Sequence, residues 1–276
     1  MRVRLTILVE NTTPAPNLVG EYGFACLVNI DGRRLLFDTG SARALFVNSQ
    51  ALGIRLEEIE EVVISHGHFD HTGALLPLLQ EYGPKKIYAH PGFMVPKLYP
   101  LHNGKLKQIG SPFSREQLDQ AGAEFVFIDN FSELWPGVYI SGEIPRSHDF
   151  EDVGGDFQLQ RGGQVLPDQL ADDMALIIDH PDGLIIISGC AHAGILNIIA
   201  HAIRMTGKDR ILAYIGGTHL MTASRSRVDK TIAVLKTYRL EQLIVAHCTG
   251  FKAAARLYSE LGDMVIKGET GMSFEF

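Results

Sequence analysis

The sequence predicts an α/β (α+β) protein: one domain over residues 1–276, with two β-sheets and helices outside them. Three observations carry that prediction. Two pairs of apolar runs are joined by Asp31-Gly32 and Asp182-Gly183. Such pairs read as β-hairpins, because Asp-Gly tolerates the positive φ angles of a tight turn. Each hairpin is followed by segments of helical spacing that alternate with short apolar strands. Side chains able to bind metal fall directly after those strands.

Residues 3–9 read as a strand ending in the turn-rich Asn11-Thr12-Thr13-Pro14-Ala15-Pro16. Residues 24–30 and 33–38 form the first hairpin, which runs into Asp38-Thr39-Gly40, an acid at a strand end. Residues 44–52 have helical spacing, and Val62-Val63-Ile64 is a short buried strand. Residues 74–79 read as a helix with Pro77 in its first turn, where the missing N–H costs little. Strands at 86–90, 124–128 and 138–140 and a helix at 114–121 come next. Residues 93–114 and 147–171 lose periodicity, and both are expected to be irregular lid segments. The second hairpin covers 174–188. Helices at 195–205, 227–238 and 252–261 then alternate with strands at 211–215 and 243–246, and short strands close the chain.

A chain of 276 residues can bury a large core. Its net charge of -7 argues against a nucleic-acid surface built on bulk positive charge. Three scattered cysteines, Cys26, Cys190 and Cys248, are no disulfide framework and point to a reducing compartment. The first residues alternate as a strand, unlike a signal peptide, and no apolar run approaches the ~20 residues that span a bilayer. The expectation is a cytoplasmic protein without membrane or nucleic-acid partners, and a homo-oligomer is compatible with it.

The chemistry centres on Ser65-His66-Gly67-His68-Phe69-Asp70-His71-Thr72-Gly73. Three histidines and an aspartate within six residues cannot share one face of a helix or strand, but on a turn leaving a buried strand they can converge on a metal. The bland alternative, a polar solvated turn, is the weaker reading of so dense a set. Glu143, Cys190 with His192, His219 and His247 also follow apolar strands. A lone histidine at a strand end is more often a surface residue than a ligand. Five clusters with the same placement favour a common site, since sheet-based folds gather ligand residues at one end of their strands.

H-x-H-x-D-H after an apolar strand, preceded by Leu36-Phe37-Asp38-Thr39-Gly40, resembles the metallo-β-lactamase superfamily. The resemblance spans the chain and implies an αββα sandwich with a one- or two-metal site along the edge between its sheets. Gly142-Glu143-Ile144-Pro145-Arg146, Ser188-Gly189-Cys190-Ala191-His192-Ala193-Gly194-Ile195, Gly216-Gly217-Thr218-His219-Leu220 and Ala246-His247-Cys248-Thr249-Gly250 resemble a narrower branch. That branch includes the dihydropterin ribofuranosyl-aminobenzene phosphate synthase-like proteins.

Carried over, the resemblance makes His66 and His68 ligands of a first metal, Asp70 and His71 ligands of a second, and His247 the late histidine that completes it. Gly189-Cys190 stands where most of the superfamily has Gly-Asp, so Cys190 is a candidate thiolate ligand or, alternatively, a buried apolar residue. His192 would share its side of a continuing strand and is a candidate ligand or catalytic base. Glu143 is the stand-in for the usual third histidine of the first site, with His148 as the outside candidate. Asp38 is expected to orient a histidine. Asp70 is expected to orient the attacking water, and Arg146, His219 and Lys252 to bind substrate. Cys248 is expected to point the other way, into the core.

The expected activity is that of a metal-dependent hydrolase or related transferase acting on an anionic, phosphorylated small molecule. Zinc is the expected cofactor, one ion or two, and the donor set also suits iron or manganese. A synthase-like reaction, forming a C–C bond as pyrophosphate leaves, is the alternative. Iron redox chemistry and a non-catalytic binding role rank lower.

Overall fold

The structure is a computed structural model describing residues 1–276. The chain falls into two compact units, each assembled from separated segments.

The first unit comprises residues 1–128, 156–172 and 269–276. Its strands β1 (Val3–Val9), β2 (Ala25–Ile30) and β3 (Arg33–Phe37) pair antiparallel, the last two as the expected hairpin. Helix α1 (Ala44–Ala51) then leads to β4 (Glu61–Val63). Helices α2 (Phe69–Thr72) and α3 (Leu75–Tyr82) lead to β5 (Lys85–Ala89). Both crossovers make parallel pairs, which need a connection of this length. Leu36, Val62 and Ile87 pack with Leu75, Leu78 and Leu79 in one apolar core.

Residues 93–114 and 147–171 are not irregular throughout. They supply β6 (Lys97–Pro100), β7 (Leu106–Gln108), β11 (Gln158–Arg161) and β12 (Gln164–Pro167), which form a four-stranded sheet ordered β12-β11-β6-β7. Every residue of β7 and β12 is exposed, so no apolar alternation marks them as strands. Between them in sequence, α4 (Arg115–Gln120) carries a Ser114–Gln117 capping box and precedes β8 (Ala123–Phe127).

The second unit comprises residues 129–155 and 173–268. Strands β9 (Ser132–Trp135), β10 (Val138–Ile140), β13 (Ala175–His180) and β14 (Gly183–Ser188) form an antiparallel run. From β14, helix α5 (Ile195–Thr206) crosses to β15 (Arg210–Gly216), and α6 (Arg225–Leu235) to β16 (Arg239–Val245). Helix α7 (Phe251–Leu261) leads to β17 (Val265–Lys267), and all three pairs are parallel. The core here is Ile177, Ile186, Leu196, Ile199, Tyr214, Leu243 and Leu257 with their neighbours. The last strand of the chain, β18 (Ser273–Glu275), returns to the first unit and pairs with β1. In both units a hairpin precedes parallel crossovers, and the ligand-type residues leave the carboxyl ends of strands.

Candidate metal centre

In the first unit, β4 delivers the chain to Ser65 and then to the histidine turn. Asp38, fully buried and held at φ 60° past the end of β3, organises that turn. Its Oδ1 accepts the Ser65 backbone N–H at 2.7 Å, and its Oδ2 accepts the Ser65 hydroxyl at 2.7 Å. The same Oδ2 lies 2.7 Å from His71 Nδ1. A carboxylate there fixes the tautomer with the proton on Nδ1 and the lone pair on Nε2, the form a metal needs. His66 Nδ1 lies 2.9 Å from the Ser65 hydroxyl, which directs its Nε2 toward His68 Nδ1 at 3.0 Å. Two ring nitrogens so close suit neighbouring ligands of one ion bound at about 2.0–2.1 Å. Asp70 and His71 sit on α2, with His71 Nε2 and Asp70 Oδ2 3.8 Å apart. Burial, the largest influence, pushes His68 down to about 3, Asp70 opposing and Lys97 adding to the shift. His68 is therefore neutral near pH 7, as a ligand must be.

The turn itself has no room to spare. A Cβ on Gly67 would stand 1.9 Å from the Phe93 carbonyl oxygen. Its backbone N–H donates to Asp172 Oδ2 at 2.9 Å, and His68 makes a β-bridge with Gly110.

In the second unit, three turns at the ends of β14, β15 and β16 meet. The ligand atoms of Cys190, His192 and His219 lie within 4.8 Å of one another, and so do those of Cys190, His247 and Cys248. Ala191, His219 and His247 all hold positive φ, at 58°, 46° and 49°. Left-handed backbone is costly for side chains with a Cβ and tends to cluster where a site requires it. His192 Nδ1 is 2.8 Å from the Val153 carbonyl, which places its lone pair on Nε2. The loop carrying Val153 is fixed at the start of α5, where Glu151 accepts the backbone N–H groups of Leu196 and Asn197. Cys248 Sγ accepts the His219 backbone N–H at 3.3 Å. Burial would raise the Cys248 thiol, but Cys190, His219 and His247 bring it below its ordinary value.

Several expectations about individual residues change. Glu143 is exposed and belongs to neither donor group, because the turn after β10 points it outward; its backbone N–H bonds the Asp129 carbonyl. His148 is half-buried with Nδ1 3.2 Å from Asn197 Oδ1. Arg146 donates to the His192 carbonyl at 2.9 Å, so part of its guanidinium braces that turn. Lys252 is exposed in the first turn of α7. His219, expected to face substrate, joins Cys190 and His192 as a third donor. Cys248 is not turned away into the core. Strand alternation stops at Val245, and residues His247–Thr249 form a 3₁₀ turn that swings its sulfur toward Cys190. Glu151, Lys97 and Asp172 carry no sequence signal, since no motif surrounds them.

Imidazole, thiolate and carboxylate donors, buried and with fixed tautomers, are chemically suited to a divalent ion of zinc type. That donor set on an α/β fold defines a metal-binding protein, and the chain belongs to the metallo-beta-lactamase superfamily, whose model matches residues 18–225. It is 30% identical over 266 residues to the 7,8-dihydropterin-6-methyl-4-(beta-D-ribofuranosyl)-aminobenzene-5'-phosphate synthase of Methanocaldococcus jannaschii, covering 93% of this chain and 90% of that one. Among solved structures, Tm1679, described as a metal-dependent hydrolase of the beta-lactamase superfamily, matches with a TM-score of 0.86 and 26% identity over 99% of both chains. Zn(2+)-bound PqqB from Methylobacterium extorquens shares the fold at a TM-score of 0.60 and 15% identity, over 98% of this chain and 99% of that one. No helix is long and apolar enough to cross a membrane.

Proposed function

We propose that the chain is a metal-dependent enzyme acting on an anionic, phosphorylated small molecule, as a hydrolase or a related transferase. The observation that carries this reading is the Asp38–His71 bond, a buried carboxylate spent on fixing one imidazole as a ligand. Zinc, as one ion or two, suits His66, His68, Asp70 and His71 and suits Cys190, His192, His219 and His247; iron and manganese are the alternatives. Such an ion supplies an acidified water and polarises a phosphoryl oxygen when bound.

The protein's own groups do the rest. Asp70 orients the attacking oxygen and takes its proton. His192, its Nδ1–H tied to the Val153 carbonyl, presents Nε2 as ligand or base. Arg146 and Lys252 supply positive charge for an anionic substrate. The three cysteines form no disulfide, which fits a reducing, cytoplasmic setting in this reading.

The similarity to the Methanocaldococcus jannaschii protein, 30% identity over 93% of this chain, favours a second reading, a synthase-type condensation. One panel tests both. Zinc-loaded protein is given model phosphate mono- and diesters, and separately a dihydropterin-6-methyl diphosphate with a ribofuranosyl-aminobenzene 5'-phosphate. In that condensation the pterin methyl carbon bonds to the ring as pyrophosphate leaves and the ring proton is lost. Metal-dependent ester cleavage supports the hydrolase, and pyrophosphate release only with both condensation partners supports the synthase. No metal-dependent turnover in either arm would sink the proposal.

A further inference from the structure

Lys97, Asp168 and Asp172 form an ion-pair cluster beside the histidine turn, within the first unit. Lys97 Nζ donates to Asp172 Oδ1 at 2.7 Å and to Asp168 Oδ2 at 3.0 Å. The three side chains are only 2–3% exposed. Asp172 turns its other oxygen, Oδ2, to the backbone N–H of Gly67 at 2.9 Å. Asp168 Oδ1 in turn accepts the Leu170 backbone N–H at 2.7 Å, which fixes the segment that carries both acids.

Burying three ionised groups is costly, and an apolar cluster of the same volume often serves stability equally well. The cost has an identifiable return here. Gly67 stands between His66 and His68 and has no side chain with which to anchor itself. It cannot acquire one, because a Cβ would strike the Phe93 carbonyl oxygen, with Lys97 Cε a further 3.1 Å contact. Its position therefore depends on a group reaching in from outside the turn. Asp172 is that group, and Lys97 holds Asp172. The cluster also carries a net charge of −1 beside the turn, which favours a cation there. We propose that Asp172, anchored by Lys97, is a positioning residue that sets the spacing of the His66 and His68 ligand atoms; this rests on the metal-centre reading of the histidine turn.

The test needs no substrate. Zinc affinity is measured by chelator competition on the wild type, Asp172→Asn, Asp172→Ala and Lys97→Met, with the cobalt(II) absorption spectrum as a report of ligand geometry. Asp172→Ala, which loses both the acceptor and the charge, is expected to weaken zinc by about 10- to 100-fold, as outer-shell partners of metal ligands do. Asp172→Asn is isosteric and keeps an acceptor for Gly67, so it should restore part of that loss while remaining weaker than wild type. Lys97→Met should resemble Asp172→Ala and alter the cobalt spectrum. If Asp172→Ala does not fold, Asp172→Asn decides alone. Wild-type affinity and spectrum in the folded variants would overturn the proposal. A wild type that binds zinc yet turns over no phosphorylated substrate would sink the functional reading and leave this one standing.

Discussion

His71 Nδ1 and Asp38 Oδ2 stand 2.7 Å apart, both side chains fully buried, with Asp38 held at a left-handed φ of 60°. A strained, desolvated carboxylate persists only if something compensates it, and the Ser65 backbone and hydroxyl donors do so locally. Asp38→Asn keeps the shape but removes the charge and can reverse the hydrogen bond. Zinc affinity measured by calorimetric titration should fall about 10- to 100-fold, with the fold retained by circular dichroism. An unchanged affinity would separate Asp38 from the metal centre.

Gly67→Ala puts a methyl group where the Phe93 carbonyl oxygen stands, at 1.9 Å. Backbone cannot yield as a flexible side chain does. The variant is expected to lose more than about 2 kcal/mol of stability in urea unfolding, or to fail to accumulate as soluble protein. A stability equal to wild type would mean the turn is looser than its geometry shows.

Cys190 lies in both donor groups of the second unit, and Glu143 lies in neither. Cys190→Ser should weaken thiolate-to-cobalt charge transfer in the cobalt-loaded protein, leaving at most the part Cys248 supplies, and alter metal preference toward harder ions. Glu143→Ala, at an exposed position, should keep metal affinity within about twofold of wild type. Cobalt(II) absorption spectra and chelator-competition titrations of the two variants side by side check both statements, and the reverse pattern would restore Glu143 as the ligand.

Glu151 caps α5 through two backbone N–H groups and thereby fixes the loop whose Val153 carbonyl holds His192. Glu151→Ala should cost about 1–2 kcal/mol by denaturant unfolding, as loss of a charged cap does. Metal retention should weaken with it, because the His192 tautomer loses its anchor. Full metal retention at reduced stability would confine Glu151 to the helix.

His68 gives the metal-free protein a pH signature. Folded, burial keeps it neutral to about 3, whereas an unfolded histidine takes up its proton near 6.5. Across that window the unfolded chain binds more protons, so stability falls as pH drops below about 6.5 toward 3. Urea midpoints of metal-free protein should fall between pH 7.5 and 5, and fall less in His68→Gln. Identical pH dependence in the two proteins would contradict the shift.

The hairpins, the parallel crossovers and the grouping of His66, His68, Asp70 and His71 on one turn are legible in the sequence, because each depends on neighbours a few residues away. Asp38 is legible for the same reason, an acid closing a strand. The four-stranded sheet is not, since β7 and β12 are exposed at every position and carry no apolar period. Alternation carried past the end of β16 misplaces Cys248, because His247 takes a φ of 49° there and the chain turns. Lys97 and Asp172 are invisible because long-range ion pairing leaves no local pattern.

The Gly67–Asp172 bond joins residues 105 positions apart. A chain emerging from its N-terminus presents His66, His68, Asp70 and His71 long before the carboxylate that steadies them exists. Until residue 172 has been synthesised, the histidine turn of a nascent chain lacks the one side-chain acceptor that Gly67 uses in the folded protein.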